Sequence, residues 1–336
     1  MKKVAKFLGL LLCMSTFSLF ALGSGNSGDK SNSEKVGEVE TKQDEKKDSS
    51  SETTESKTDK EETEETTKDS ELSEYHVGDV LTYKGLSITY VSSSDYVSDN
   101  DFLQPADGNK YIRLELYVEN NSGSDKSVTS FEFHCYADGY ECESKYFDDD
   151  ISLSLSDGRT GTGAVYFEVP QDASDIEIEY ELDWLSEKKA VFKFDGNKDS
   201  GFVANTEATE SADAYKVGDI IENGSLRISY LKAAEYESDN MFLQPQEGNK
   251  YIYIELEVEN ISDSDKSISY FSFECYADGS HCEAFYGMDD ALSATLSAGR
   301  KAKGTIAFEV PKDANIIEIE FEDNVWTSSK IIFKYE

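Results

Sequence analysis

Beyond residue 75, apolar and polar residues alternate with a period of two along much of the chain. In residues 111–119 every second residue is Ile, Leu or Val, and the residues between them are Tyr, Arg or Glu. The same alternation occurs in residues 165–169 and 176–181. Strict alternation is typical of a strand with one buried and one solvated face, as in antiparallel sheets. Because Gly and Asp-Gly turn signals separate these short segments, the pattern predicts an all-β sandwich.

The alternating region is a tandem duplication. Residues 98–105 recur as residues 238–245 at an offset of 140, whereas residues 167–170 recur as residues 308–311 at an offset of 141. One residue was therefore gained or lost between these two points. Each copy has an ordinary size for one independent core. The predicted organisation is a signal peptide at residues 1–23, a disordered acidic linker at residues 24–74, a first copy at residues 75–195, a connector at residues 196–214 and a second copy at residues 215–336.

The N-terminus has the composition of a secretory signal peptide. Lysines precede an apolar stretch at residues 7–22, which is shorter than the ~20 residues that span a bilayer as a permanent helix. We expect cleavage after Gly23, a mature chain without a transmembrane segment, and an extracellular location, secreted or attached to the cell surface. Ser24 stands where a lipoprotein signal has its lipid-modified cysteine. A hydroxyl cannot form that thioether, so lipid anchoring and release both stay open.

The predicted linker is rich in Asp, Glu, Lys, Ser and Thr and lacks aromatic residues. Its larger apolar residues are Val36, Val39 and Leu72. Such a segment cannot bury enough apolar surface to offset its ordering entropy, so it is predicted to be a disordered spacer. An acidic tail that binds a cation or partner is the alternative.

Two cysteine pairs, Cys135 with Cys142 and Cys275 with Cys282, each flank an Asp-Gly dipeptide. Asp-Gly favours a type I′ hairpin turn, in which the two cysteines of each pair face each other. Directly opposed strand residues lie about 4.5–5.5 Å apart at Cα, within reach of a disulfide. We therefore predict one cross-strand disulfide per copy, as suits an exported protein. A four-thiolate metal site is the alternative, but the spacing within each pair is unlike that of zinc sites.

Several short segments occur in the same order in both copies. They are residues 77–79, 85–88, 105–112, 118–120, 155–159 and 167–173 in the first copy, and residues 217–219, 248–252, 258–260, 296–300 and 308–314 in the second. With this order and spacing, both copies resemble the telokin-like, immunoglobulin-fold domains of unknown function found in exported lipoproteins of Gram-positive bacteria. The resemblance implies two tandem immunoglobulin-like β-sandwich domains exposed on the surface of a Gram-positive-type bacterium. It brings no catalytic residues, and Ser24 and the paired cysteines depart from the family pattern.

The histidines do not support an enzyme. His76, His134 and His281 are replaced by Lys or Glu at the equivalent positions of the other copy. A catalytic or metal-binding histidine is not expected to be exchanged so freely if both copies share a function. The sequence also has no nucleophile elbow, phosphate loop or zinc-binding helix motif. We expect a protein that is not an enzyme.

Aspartate-rich turns are the candidate metal ligands. Ca²⁺ takes about 6–8 oxygen ligands, although the spacing here is not that of an EF-hand loop. The alternative is that these carboxylates lie on solvated loops and that the chain has no cofactor. The candidate calcium ligands are Asp99, Asp149, Asp150, Asp239, Asp289 and Asp290.

The net charge of −37 disfavours nucleic acid and anionic membrane surfaces as partners. An extracellular protein, peptidoglycan or another glycan is the expected partner of a non-catalytic binding or adhesion module, and exposed aromatic residues are the usual anchors of such a surface. The alternatives are that the candidate aromatics point inward, and that the chain is a structural spacer or assembly component without a ligand. The sequence carries no signal for oligomeric state. The candidate binding residues are Tyr111, Tyr117, Tyr251, Tyr253, Phe102 and Phe242.

Overall fold

A computed structural model describes both copies nearly in full. The described residues are 34–38 (backbone only), 73–183, 188–204, 210–322 and 330–336. The predicted signal peptide and most of the predicted linker lie outside them. The copies belong to one compact unit. Within the described residues the regular structure is β, apart from the single-turn 3-10 helices Ser130–Glu132 and Tyr270–Ser272, which confirms the predicted fold class.

The first copy is a sandwich of two sheets. One sheet has the strand order β1-β3-β4-β5-β11, with β9 also on β11 and β14 also on β4, and the other has the order β2-β13-β12-β7-β8. A short β6–β10 pair stands apart. The strands are β1 (Glu34–Glu38), β2 (Glu74–Tyr75), β3 (Asp79–Tyr83), β4 (Leu86–Tyr96), β5 (Asn109–Asn120), β6 (Lys126–Thr129), β7 (Phe133–Ala137), β8 (Tyr140–Glu141), β9 (Glu143–Lys145), β10 (Ser152–Leu155), β11 (Thr160–Pro170), β12 (Ile176–Asp183), β13 (Lys188–Lys193) and β14 (Lys198–Asp199).

The second copy repeats this plan. Its strands have the orders β15-β16-β17-β22 and β20-β19-β23-β24, with a separate β18–β21 pair. β20 also pairs in parallel with β11, where Thr160 lies opposite Ser280, so that one sheet continues from the first copy into the second. The strands are β15 (Ile220–Glu222), β16 (Leu226–Tyr236), β17 (Asn249–Asn260), β18 (Lys266–Ser269), β19 (Phe273–Ala277), β20 (Ser280–Cys282), β21 (Ser293–Leu296), β22 (Lys301–Pro311), β23 (Ile317–Glu322) and β24 (Lys330–Lys334).

The period-two alternation accounts for the core between the sheets. In β5, Ile112, Leu114 and Leu116 are fully buried, as the pattern predicts. The sheets meet across aromatic contacts such as Tyr90 against Phe192, whose ring centroids lie 5.5 Å apart nearly edge to face. Burying each large apolar side chain contributes about 1.5–3 kcal/mol, so the repeated apolar face stabilises each sandwich.

Two segments outside the predicted copies contain strands. Residues 34–38 of the predicted linker pair antiparallel with β3, and residues 198–199 of the predicted connector pair with β4. Ser200 extends the second attachment through its N–H to the Val91 carbonyl, at 3.0 Å. Such attachments form because an edge strand offers unpaired N–H and C=O groups to any extended segment, whatever its side chains.

Candidate functional site

The tyrosines predicted to be exposed at the start of the central strands are buried. Tyr111 is 4% exposed and Tyr251 is 5% exposed. The chain that follows the cysteine hairpin folds over the outer face of the sheet, so that Phe147 lies 5.6 Å from the Tyr111 ring and Phe285 stacks at 3.9 Å on Tyr251. These tyrosines therefore cannot act as exposed anchors, and the binding prediction is wrong for them.

The other two candidate tyrosines are also partly or fully covered. Tyr117 is 8% exposed because Phe202, from the connector, lies 4.9 Å from its ring. Tyr253 is partly exposed, and the Lys232 ammonium lies 5.0 Å from its ring centroid and donates to its hydroxyl. Neither presents a free aromatic face.

The phenylalanines, in contrast, project into solvent. Phe102 is 95% exposed and Phe242 is 86% exposed. Phe102 lies in the loop between β4 and β5, and Phe242 lies in the loop between β16 and β17. We call these loops (residues 98–105 and 238–245) the Phe loops. The following leucines, Leu103 and Leu243, are 45% and 41% exposed. Both loop tips are therefore apolar.

A hydrogen-bonded frame holds the first Phe loop in shape. The Gln104 side-chain amide donates to the Ser98 carbonyl at 3.1 Å and to the Asn100 carbonyl at 3.0 Å. The Asn100 side-chain oxygen accepts the Phe102 N–H at 3.0 Å. These bonds satisfy the polar groups of the turn locally, so the apolar tip needs no partner to keep its conformation.

The second Phe loop has the same frame. The Gln244 amide donates to the Ser238 and Asn240 carbonyls, both at 2.9 Å, and the Asn240 side chain accepts the Phe242 N–H at 3.0 Å. The two copies thus present the same residue on the same rigid turn.

A second exposed aromatic feature was missed by the sequence reasoning. Phe131 (74% exposed) lies 5.8 Å from Tyr146 (53%), and Phe271 (61%) lies 5.9 Å from Tyr286 (62%). The recurrence of both members at an offset of 140 was the signal that could have found these pairs.

The predicted calcium ligands either accept hydrogen bonds from other side chains or lie exposed on the surface. Asp149 accepts from Arg113 at 2.7 Å and from the Tyr166 hydroxyl. Although burial acts to raise the pKa of Asp149, these two donors lower it. Asp150 accepts from the Ser130 hydroxyl at 2.5 Å, and burial raises its pKa to about 6.

The acidic run is also less alike in the two copies than the sequence suggests. The Asp149 carbonyl accepts the Ala164 N–H, and the Asp290 carbonyl accepts the Thr305 N–H. Asp290 is therefore the equivalent of Asp149, and the one-residue insertion lies before this point. Asp289 and Asp290 are thus equivalent to Asp148 and Asp149, and Asp150 corresponds to Ala291.

The structure gives no calcium site at these positions. Asp99, Asp239 and Asp289 are exposed, and Asp290 accepts from the Thr305 hydroxyl at 2.8 Å. Within the described ranges, no group of three or more His, Cys, Asp or Glu side chains is placed to hold a metal ion.

Each histidine contacts a carboxylate of its own copy. The contacts are His76 with Asp195 at 2.8 Å, His134 with Glu181 at 3.8 Å and His281 with Glu274 at 3.1 Å. None of these pairs includes a candidate nucleophile, so they fit the interpretation of the histidines as strand and turn residues.

The cysteine hairpins have the predicted register. Cys275 lies directly opposite Cys282, and the Cys142 N–H donates to the Cys135 carbonyl at 2.8 Å. Both residues of each Asp-Gly turn have positive φ, as a type I′ turn requires. The four cysteines are free thiols in the structure, and burial raises the pKa of Cys135, Cys142 and Cys275. The disulfides stay a prediction.

The two copies meet at a buried ionic contact, which we call the junction. The Arg159 guanidinium of the first copy lies 2.6 Å from Glu318 and 2.7 Å from Glu320 of the second. The side chains of Glu318 and Glu320 are 0% and 5% exposed. Burial acts to raise the pKa of Glu318, but Arg159 and the Ser211 N–H outweigh it and lower the pKa.

Tyr276 completes the junction. Its ring packs with the core of the first copy, although it belongs to the second. Its hydroxyl donates to the Ser154 carbonyl at 3.0 Å and accepts the Ser156 N–H at 3.2 Å, while Arg159 lies 4.6 Å above its ring. At the edge of the contact, Lys330 pairs with Asp125 at 2.9 Å.

Similar solved structures include a candidate lipoprotein of Bacillus subtilis (11% identity, TM-score 0.30), which is matched over 34% of this chain and 37% of its own length. A secreted protein of Mycobacterium tuberculosis (14% identity, TM-score 0.28) is matched over 37% of this chain and 99% of its own. An uncharacterised β-sandwich protein of Clostridium difficile (13% identity, TM-score 0.25) is matched over 38% and 98%.

The family model covers more of the chain than any of these structures. No curated protein matches the chain. In the part of the chain that the structure describes, no helix has the length and apolar character needed to cross a bilayer. The profile of a domain of unknown function, DUF4352, matches residues 75–191 and 215–331, which is most of both copies. The chain belongs to the DUF4352 family and carries two tandem copies of its domain.

Proposed function

We propose that this chain is a non-catalytic, extracellular binding module of the bacterial cell surface, and that the two Phe loops make its contact with the partner. The observation that carries the proposal is the near-complete exposure of Phe102 and Phe242 on the same hydrogen-bonded turn in both copies. A single exposed apolar residue is ordinary on a protein surface. The same exposed Phe on the same hydrogen-bonded turn in both copies supports a role in binding a partner.

The Phe loops have the energetic properties of a binding anchor. Fully burying a Phe side chain contributes about 1.5–3 kcal/mol, and nearly all of that area is available at Phe102 and Phe242. Because the turn is already fixed by its own side chains, little conformational entropy is lost when it binds. Aromatic anchors that fill a partner's pocket account for most of the affinity in typical interfaces.

The neighbours of the two phenylalanines favour a protein partner. Leu103 lies beside Phe102, while Met241 (77% exposed) and Leu243 lie beside Phe242. Such aliphatic and thioether side chains complement an apolar pocket. The acidic surface of the chain supports a neutral or basic partner. Peptidoglycan or another glycan would instead stack on the exposed aromatic pairs formed by Phe131 with Tyr146 and Phe271 with Tyr286.

Binding of the labelled mature chain to whole cells tests the proposal. We expect Phe102→Ser/Phe242→Ser to lose at least tenfold in apparent affinity, because both anchors are removed without disturbing a core. The matched control is Phe131→Ser/Phe271→Ser, which removes the exposed phenylalanine of each aromatic pair (74% and 61% exposed) and leaves the Phe loops intact. Protease treatment of the cells should abolish binding, and muramidase treatment should not.

Other outcomes identify other functions. Loss of binding only in the control variant, together with sensitivity to muramidase, would assign recognition to a glycan and refute the role of the Phe loops. Absence of binding by the unmodified chain would favour the structural spacer or assembly component.

A further inference from the structure

The junction joins two different surfaces, and each copy has both. We call them the Arg end and the Glu face. The Arg end is Asp125, Ser156 and Arg159 in the first copy and Asp265, Ser297 and Arg300 in the second. The Glu face is Tyr136, Glu177, Glu179 and Lys189 in the first copy and Tyr276, Glu318, Glu320 and Lys330 in the second. The Arg ends of the two copies consist of identical residues at equivalent positions, and so do the two Glu faces.

Within one chain only half of these surfaces are used. The Arg end of the first copy occupies the Glu face of the second. The Arg end of the second copy is exposed at Asp265, Ser297 and Arg300. Among the described residues, the Arg300 guanidinium has no ion pair or hydrogen-bond partner, in contrast with the doubly paired Arg159.

The Glu face of the first copy is accessible. Glu177 and Glu179 are 40% and 21% exposed, against 0% and 5% for their equivalents at the junction. They pair with Lys193 and Lys189 on the neighbouring strand. Lys330 is the equivalent of Lys189 on the occupied Glu face. It lies 3.4 Å from Glu320 of its own copy and also pairs with Asp125 of the Arg end.

We propose that the Arg end of the second copy binds the Glu face of the first copy of another molecule of this chain. The new contact would repeat the junction, with Arg300 between Glu177 and Glu179 and above the Tyr136 ring. Because the two surfaces differ, the contact is head to tail, and it generates a linear assembly unless the rotation between successive molecules closes it into a ring. Among the positions that differ from the junction, Lys301 replaces Thr160 and the 80% exposed Tyr140 replaces Ser280. They place a lysine opposite an exposed aromatic ring, which is a favourable pairing.

The contact between molecules is weaker than the junction. Within the chain, the connector keeps the partners at an effective concentration of about 1 mM, whereas separate molecules lack this advantage. The net charge of −37 also opposes association at low ionic strength. Molecules crowded on a surface would reach a similarly high local concentration, so we expect the assembly to form there.

Sedimentation velocity of the mature chain tests the proposal, from about 10 µM to about 1 mM at about 0.15 M salt. We expect the sedimentation coefficient of the unmodified chain to rise with concentration. Arg300→Glu alone and Glu177→Lys/Glu179→Lys alone should each stay monomeric. Lys312→Glu, an exposed lysine of the second copy with the same charge change, is the control and should behave as the unmodified chain.

A mixture of the two charge-reversed variants gives the decisive result. Each variant keeps one intact surface, and the two altered surfaces carry opposite charges, so an equimolar mixture should associate although neither variant does so alone. The proposal is overturned if the unmodified chain stays monomeric over the whole range, if Arg300→Glu associates as strongly as the control, or if the mixture stays monomeric.

Discussion

Removal of the Arg159 side chain should uncouple the two copies. In the junction, Arg159 is the cation between Glu318 and Glu320, both nearly inaccessible to water. Arg159→Ala leaves these carboxylates buried without that partner, or lets the copies separate so that water reaches them. Either result removes the stabilisation that docking gives to each copy.

The magnitude follows from the burial. Removing one partner of a buried ion pair costs about 3–5 kcal/mol, because the remaining charge loses its compensation. Separation of the copies limits the cost to the free energy of the junction itself, so we expect a loss near the lower end, about 3 kcal/mol. For a domain of this size, urea m values are about 1–3 kcal/mol/M, which converts the loss into a shift of about 1.5 M in the urea midpoint.

Urea unfolding followed by tryptophan fluorescence measures this shift. Trp184 and Trp326 lie one in each copy, so replacing either with Phe reports on the other copy alone. Arg300→Ala is the matched control, since it removes the equivalent side chain of the second copy, which is exposed. At micromolar concentration this control should unfold as the unmodified chain does. If Arg159→Ala and Arg300→Ala have the same midpoints, the assignment of the junction as an energetic link is refuted.

Three further predictions concern titrating and redox groups. Burial raises the pKa of Asp150 from 3.8 to about 6, so its contribution to stability is full below 3.8 and is lost as the pH rises through 6. Asp150→Asn should therefore raise the free energy of unfolding at pH 7.5 by about 1 kcal/mol, after allowance for the partial exposure of Asp150, and leave it unchanged at pH 3.5. Melting temperatures measured at the two pH values check this, and an equal gain at both would contradict it. The pKa of Glu318 is lowered from 4.5, so its contribution to stability is present above that value and is lost as the pH falls below it. The shift in the urea midpoint caused by Arg159→Ala should therefore shrink on acidification. A shift that does not change with pH would show that Glu318 does not titrate in the junction. Finally, if both opposed cysteine pairs form the predicted disulfides, the chain recovered from the culture medium should show no reactive thiols when it is denatured without reductant; four reactive thiols would refute the disulfides.

Local patterns account for the parts of the fold that the sequence predicts correctly. Alternation places Ile112, Leu114 and Leu116 in the core because strand periodicity is a property of neighbouring residues. The cysteine hairpins follow for the same reason, since an Asp-Gly turn determines the register of the residues beside it.

The failures involve contacts between distant segments. Tyr111 occupies the polar side of its strand by alternation, but Phe147, far along the chain, covers it. Arg159 and Arg300 have the same glycine before them and equivalent places in their copies. In the structure Arg159 binds Glu318 and Glu320 of the second copy, whereas Arg300 is exposed, and no local pattern distinguishes the two.

The central claim is that the copies form one block held by the junction, with both Phe loops fixed on it. Residual dipolar couplings of the backbone amides in the mature chain measure this most directly, because they report the orientation of each sandwich in a common frame. The account predicts that one alignment tensor fits the couplings of both copies. Two different tensors, as expected for independently tumbling domains on a flexible connector, would contradict it.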